Sequence, residues 1–430
     1  MILVEKIKKE SYLAYHKKLQ KYLFFKGKKT KEELKEIFED EFSNDNYKAY
    51  IPLRTVVINT TEKCNLRCLY CSRYQKDYQE EFSISEEILN KSIERAYQHA
   101  KSIDKEVVVQ LHGGEPSLML DRIEKILEDN KEKLSLLDLR IQTNAVDIDD
   151  DFISLCQDYD IRVGVSLDGP PSVTGNVRKL PNGESIFPKV EENIKTIKEE
   201  IPRSHISCLA VISSANVGKA EKVFEYIFNN QQIDDVSFLP LYPDFSACLN
   251  DPSQIIPKKE EMVEFSKNLF DLWIETLEER EICIPTFQIW FWNLAALNRG
   301  GILPNSSCGV GETMIFIDVD GNYYPCGPFS YEDSMIAGNV MEDSLESVQN
   351  NKIIKKFKDR DTCEINECGE CIFQGICRGG CPANAFLQKD SVYKKDPFCD
   401  YWKGIISHIV QRIEENPEIV NLIPDYTIRL

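Results

Sequence analysis

From about residue 55 the chain alternates short β-branched apolar runs with amphipathic stretches. The runs are TVVINT (55–60), EVVVQLH (106–112), LDLRIQT (137–143), IRVGVSLD (161–168), HISCLAVIS (205–213) and DVSFLPL (235–241). Between them, LDRIEKILEDNKEKL, FPKVEENIKTIKEEI and KAEKVFEYIFNN place apolar residues at helical spacing. Strands alternating with helices in this way predict an α/β fold with a parallel sheet and right-handed crossovers. Six such units suit a partial (β/α)6 barrel better than a closed eight-fold one. A doubly wound open sheet is the competing architecture, and periodicity alone does not separate the two.

The rhythm is absent at both ends. Over residues 1–50, SYLAYHKKLQKYLFF predicts a hairpin or the start of a helix, and TKEELKEIFEDEF an amphipathic helix. KKEEMVEFSKNLFDLWIETLEER predicts a long helix over about 258–280, after which the alternation stops. Residues 300–400 are rich in Cys, Gly and turn signals, with a hairpin at MIFIDVDGNYYPC whose turn is Asp320-Gly321. That segment offers few apolar residues for a core of its own, so metal is expected to hold it together. DYWKGIISHIVQRIEE predicts a closing helix. The expected organisation is a short N-terminal segment (1–50), a barrel (51–285), a small Cys-rich domain (300–400) and a C-terminal helix and tail (401–430).

Composition narrows the function. The 430 residues suffice for two or three domains, and 42% hydrophobic with 29% charged residues is ordinary for a globular chain. A net charge of −19 argues against nucleic acid or an anionic membrane as partner, and permits a basic substrate such as a Lys-rich peptide. Apolar runs are too short for a membrane span and the N-terminus lacks a secretory apolar core, so a cytoplasmic location is expected. Fifteen cysteines are the anomaly. In a reducing compartment, clustered cysteines point to metal ligation or catalysis rather than disulfides. Three fall between 64 and 71 and eight between 308 and 399, while Cys156, Cys208, Cys248 and Cys283 are scattered in apolar or mixed stretches and read as structural thiols.

CNLRCLYC sets Cys64, Cys68 and Cys71 as C-x3-C-x2-C just after the first strand of the series. Three thiolates can each take one iron of a cubane and leave the fourth iron open to a ligand. Alone, the loop also suits a zinc site short of one ligand. In its context it resembles the signature of the radical S-adenosylmethionine (SAM) superfamily, with Tyr70 as the aromatic residue before the last Cys. The second strand ends in HGGEP, so that Gly113, Gly114 and Glu115 match the family's GGEP motif; Asn144 ends the third strand, and Ser166 and Arg178 follow at and after the fourth. The resemblance implies a radical SAM barrel in which an open 4Fe-4S iron takes the amino and carboxylate groups of SAM. Reductive cleavage then yields a 5′-deoxyadenosyl radical that abstracts hydrogen from substrate. By the same resemblance the GGEP backbone meets the SAM amino group, and Ser166 and Arg178 help to hold its ribose and carboxylate.

CGECIFQGICRGGC gives Cys368, Cys371, Cys377 and Cys381, preceded by Cys308, Gly321 and Cys326 and followed by Cys399 in DPFCDYW. This C-terminal pattern resembles a SPASM domain. The resemblance, which spans roughly residues 55–400, implies two auxiliary 4Fe-4S clusters and thus three in all. Cys308, Cys326 and Cys381 would bind one; Cys368, Cys371, Cys377 and Cys399 would bind the other. Where some relatives place a fourth ligand soon after Cys308, this chain reads GVGETM. That cluster therefore has either an open iron or a ligand from elsewhere such as Cys363. Cys363 also forms C-x4-C-x2-C with Cys368 and Cys371, a plant-type 2Fe-2S spacing, and structural zinc is a further alternative for this half.

SPASM-bearing enzymes mostly modify peptides or proteins. The expected function is oxidative modification of a ribosomally synthesised precursor peptide by thioether or carbon–carbon cross-linking, with an electron donor such as flavodoxin or ferredoxin as partner. An anaerobic sulfatase-maturing enzyme is the first alternative. In that group an Asp after the hairpin Cys is the proposed base, whereas this chain has Gly327. Asp318, Asp320, Tyr323 and Tyr324 lie nearby, where turn and core roles are the expectation. A non-catalytic Fe-S carrier is the alternative from another class. Residues 1–50 read as a cover on the barrel or a reduced leader-recognition element.

Overall fold

The structure is a computed structural model that describes residues 2–7, 11–16, 21–42, 52–71, 82–241, 255–295 and 309–422. The chain forms two compact units: one from Met1–Ile51, Lys258–Cys308 and Arg360–Arg429, the other from Pro52–Pro257 and Gly309–Asp359.

In the first unit, β1 (Ile2–Lys6), β2 (Ser11–His16) and β3 (Lys21–Lys26) make an antiparallel sheet in the order β1-β2-β3. β2 and β3 are the expected hairpin. β1 is an additional strand whose last three residues are exposed, so it lacks the half-buried alternation that announces a strand. The expected helix spans Lys31–Phe42 and sets Leu34 and Phe38 against Ile2 and Ala14 of the sheet. Helices Lys259–Thr276 and Cys399–Glu415 also pack in this unit, where Asp271 accepts from both His408 (2.8 Å) and Arg412 (3.0 Å).

The second unit carries a sheet of nine strands. β4 (Thr55–Thr61), β5 (Val107–Gly113), β6 (Leu137–Thr143), β7 (Arg162–Ser166), β8 (Ile206–Ile212) and β9 (Asp235–Pro240) run parallel, each beside its predecessor. Burial alternates with period two along β6 and β8, so one face packs inward. A doubly wound sheet reverses strand order at a switch point. Here the order from β4 to β9 never reverses, which is the partial-barrel progression.

Residues 309–359 differ from expectation. β10 (Met314–Ile317) pairs parallel with β4, and β11 (Asn322–Tyr324) and β12 (Gly338–Asn339) follow antiparallel, extending the same sheet. The predicted hairpin is β10–β11, with Gly321 at φ +82° in its turn. Ile315, Phe316, Ile317, Phe329, Val340, Val348 and Ile354 are all buried. This half of the Cys-rich region therefore has an apolar core, because it adds to an existing sheet and need not build a second one.

Candidate functional site

β4 stops at Thr61, and the irregular loop that follows is held from two sides. Gly114 N–H donates to Thr61 O (2.6 Å) and Glu115 N–H to Lys63 O (2.8 Å). On the other side Arg67 N–H donates to Lys179 O (2.7 Å) and Leu69 N–H to Val177 O (2.8 Å). Cys64, Cys68 and Cys71 lie on this loop, each half-buried. Burial pushes the Cys64 thiol up to about 12, with Glu115 and Cys71 adding to the rise and the Leu66 N–H opposing it. Burial raises Cys68 further, against the Arg178 guanidinium. Such thiols become thiolates only when positive charge arrives with the ligand, as an iron cluster supplies it. Among the described residues no three His, Cys, Asp or Glu side chains converge as ligands of a single ion. A cubane puts each thiolate on a different iron, so its ligands stand apart, and the donor set fits it.

The glycine pair serves the loop itself. A Cβ on Gly114 would lie 2.1 Å from Lys63 O, and one on Gly113 (φ +148°) 2.5 Å from Thr61 O. What the missing Cβ atoms admit here is the backbone of residues 61–63, the stem of the Cys64 loop. Glu115 is buried: it accepts from Asn144 N–H (2.8 Å) and Ser117 N–H (3.1 Å), tying the end of β5 to the end of β6. Asn144 in turn donates to Asn65 Oδ1 (2.7 Å) and reaches the Cys64 sulfur at 3.8 Å. Gly114→Ala is expected to force this stem apart, at a cost of about 1–3 kcal/mol. Iron bound by the first three cysteines should fall while iron elsewhere is retained, read as iron per chain in the variant and in its counterpart with Cys64, Cys68 and Cys71 replaced.

Beyond the loop lies a group that the sequence pattern does not single out. Asp168 is fully buried and receives Tyr70 Oη–H (2.5 Å), Arg178 Nε–H (3.0 Å), Arg178 Nη2–H (3.3 Å) and Val211 N–H (2.8 Å). The Arg178 guanidinium also sits 5.4 Å from the Tyr70 ring centroid. Tyr70, Val177, Cys68 and Leu69 share one apolar cluster, so Asp168 braces the wall behind Cys68. Ser166 Oγ accepts from Gln142 Nε2 (2.9 Å) at the end of β7. In the sequence, Asp168 stands in an Asp-Gly pair after a strand, which signals a turn and not an ion pair.

In the first unit, Cys368, Cys371, Cys377 and Cys399 come together. Burial raises the Cys368 thiol to about 11, with Cys399 and Cys371 adding to it. Cys377 is pushed higher by burial, then by Cys399, Asp396, Cys368 and Cys371. Cys381 lies in the same unit and Cys326 in the other, while Cys308 is outside the described residues. Cys363 is exposed and adds to the rise of Tyr15.

The first cysteine set falls within one family match, and the second begins within another. Residues 58–227 match the radical SAM superfamily, and residues 308–372 match SPASM, an iron-sulfur cluster-binding domain. The chain carries a radical SAM domain and a C-terminal SPASM domain. It is 27% identical over 390 residues to the cysteine-type anaerobic sulfatase-maturating enzyme of Clostridium perfringens, covering 84% of this chain and 97% of that protein. It is 23% identical over 387 residues to the radical SAM cyclopropyl synthase TigE of Paramaledivibacter caminithermalis, covering 84% and 74%. Among solved structures, native anSMEcpe with bound AdoMet and Cp18Cys peptide has a TM-score of 0.71 at 23% identity, covering 86% of this chain and 99% of that one.

The SPASM match ends at residue 372, so Cys377, Cys381 and Cys399 lie past it. Asp318 is buried and accepts from Asn59 Nδ2 (2.5 Å), Asp320 accepts from Asn322 N–H (2.9 Å) in the hairpin turn, and Tyr323 and Tyr324 are buried: turn and core positions, as expected. Cys156 and Cys208 of the radical SAM domain are buried, and Cys208 donates to Leu167 O. Cys283 is half-buried and donates to Gln288 Oε1 (3.0 Å); Cys248 lies outside the described residues. Among the described residues no helix is long and apolar enough to cross a membrane.

Proposed function

We propose that this radical SAM SPASM enzyme oxidatively cross-links a ribosomally synthesised peptide. Cys64, Cys68 and Cys71 would hold the cluster that meets SAM, and the chemistry supplied there is a carbon-centred radical that takes a hydrogen atom from substrate. Cys368, Cys371, Cys377 and Cys399 would hold one auxiliary cluster, with Cys308, Cys326 and Cys381 in the other. Asn144 orients Cys64, and Arg178, fixed by Asp168 through Nε and Nη2, keeps Nη1 for an anionic group of the cofactor. Tyr70 keeps its proton, since burial pushes its hydroxyl well up, and so remains a donor to Asp168.

The observation that favours cross-linking over formylglycine formation is the turn after Cys326. Its first residue, Gly327, has no carboxylate, and a Cβ there would touch the Phe316 ring at 3.4 Å. Asp318 and Asp320 are engaged elsewhere, as described above. The second reading, sulfatase maturation, draws on the 27% identity across 84% of the chain. Mass spectrometry separates the two when reduced enzyme is given SAM with peptides encoded beside its gene, or with a sulfatase-derived Cys peptide. Loss of two hydrogens with sulfur retained and a block in fragmentation between two residues is the expected result. Replacement of sulfur by oxygen together with loss of two hydrogens, in the sulfatase peptide alone, would establish the second reading instead.

A further inference from the structure

Between Cys377 and Cys381 the backbone does something unusual. Arg378, Gly379 and Gly380 have φ of +46°, +77° and +72°, three consecutive residues in the left-handed region, the first of them not glycine. A run of this kind persists only where its surroundings over-determine it. Two buried or half-buried side chains do so.

Arg360 grips it from one side. Its Nη1 donates to Arg378 O (2.8 Å) and its Nη2 to Gly379 O (3.4 Å), while Nε donates to Val392 O (2.5 Å) and Nη2 also to Lys394 O (3.2 Å). One guanidinium thus joins the left-handed hook to the 392–394 stretch that leads toward Cys399. Asp396 grips it from the other side and is fully buried. Its Oδ2 accepts from Cys381 N–H (2.7 Å) and Trp402 Nε1–H (2.7 Å), and its Oδ1 from Phe398 N–H (2.8 Å). Its backbone N–H donates to Gly379 O (3.1 Å) and its carbonyl accepts from Cys399 N–H (3.0 Å). The approach is so close that a Cβ on Gly380 would lie 2.4 Å from Asp396 Cβ and 2.5 Å from its Oδ2.

We infer that Asp396 and Arg360 are positioning residues for the auxiliary iron-sulfur sites: together they hold the left-handed hook so that Cys377, Cys381 and Cys399 keep fixed spacing, and Asp396 ties a ligand of each auxiliary cluster, Cys381 through its carboxylate and Cys399 through its backbone carbonyl. Neither residue is a ligand, and neither motif nor spacing singles it out. Groups that orient a ligand in this way are worth roughly 10–100-fold in metal affinity. The inference rests on the proposed ligand roles of those three cysteines.

The test uses the full chain in which Cys64, Cys68 and Cys71 are Ala, reconstituted anaerobically with iron and sulfide, so that only auxiliary iron is read. Asp396→Asn and Arg360→Lys are compared with Cys377→Ala by the chelator concentration that strips half the iron and by the electron paramagnetic resonance of the reduced protein. The expected result is stripping at roughly 10–100-fold lower chelator in both positioning variants. Asp396→Asn weakens the acceptor of Cys381 N–H and of Phe398 N–H beside Cys399, so the resonances of both auxiliary clusters should change, a signature that a general loss of stability does not produce. Cys377→Ala losing iron while both positioning variants keep wild-type retention and spectra would overturn the clamp and leave the ligand assignment standing. Cys377→Ala retaining all its iron would overturn the ligand assignment and the inference with it. If Asp396→Asn does not fold, Arg360→Lys carries the same comparison, since it leaves the carboxylate in place.

Discussion

Replacing Cys64, Cys68 and Cys71 together with Ala is expected to abolish SAM cleavage and leave the iron of the C-terminal cysteines in place. The three thiols sit on one loop whose backbone anchors among the described residues lie within its own unit: Thr61 and Lys63 against Gly114 and Glu115, Arg67 and Leu69 against Lys179 and Val177. Cys368, Cys371, Cys377 and Cys399 are gathered in the other unit, so the iron they are proposed to hold should not depend on that loop. Alanine at the three positions removes the soft donors but keeps the Gly113–Gly114 packing, the Glu115–Asn144 tie and the Asp168 ion pair, so folding should be little affected. Two numbers decide the matter: 5′-deoxyadenosine released by the dithionite-reduced protein, and iron per chain. Undetectable 5′-deoxyadenosine beside retained C-terminal iron is the expected pair. Continued cleavage would remove the loop from the chemistry, and loss of all iron would mean that the two cysteine sets are not independent.

The sequence made the barrel readable because each strand is a short β-branched run followed by a helical one. LDLRIQT became β6 from Leu137 to Thr143, end for end, since Leu137, Leu139 and Ile141 alternate with polar residues on a half-buried strand. β1 and β10 were harder to read for opposite reasons. β1 is an exposed edge without a pattern, and the MIFI of β10 is too short to tell a private hairpin from an addition to β4. KAEKVFEYIFNN carries one apolar stripe, but its backbone passes from an α-helix over Ala220–Phe224 into a π-helix over Glu225–Asn230, a change of hydrogen-bond step that residue types do not encode. At the site, the thiols and glycines announce themselves by spacing. Asp168, Arg360 and Asp396 do not, because each acts on backbone or side chains brought near only by the fold: Arg178 is ten residues from Asp168, Arg360 lies 32 residues from Val392, and Asp396 acts across 15 residues on Cys381.

The largest stability effect should come from Asp168→Ala. The carboxylate is fully buried, its partner Arg178 has a side-chain exposure of 7%, and Tyr70 and Val211 also donate to it. Removing it strands a buried guanidinium, a phenol and an amide at once. Breaking a buried pair from one side costs about 3–5 kcal/mol, because the remaining charge keeps its desolvation penalty and loses its compensation. Urea unfolding of the metal-free chain should therefore show a loss of about that size. The paired replacement Asp168→Leu with Arg178→Met tests whether the pair exists for stability or for cofactor. An apolar pair of similar volume commonly recovers the cost of a stranded charge, so the double variant should regain most of the loss and fall short only by the acceptor that Tyr70 O–H and Val211 N–H no longer have. It would still lack the cation proposed to meet the cofactor, and Tyr70 would lose its acceptor beside Cys68. Largely recovered stability together with weakened SAM binding, measured by equilibrium dialysis on the iron-loaded protein, is the expected combination. Normal SAM binding in the double variant would reduce the ion pair to a structural brace. A loss below about 1 kcal/mol in Asp168→Ala would mean that water reaches the pair, since solvent-exposed pairs are worth no more than that.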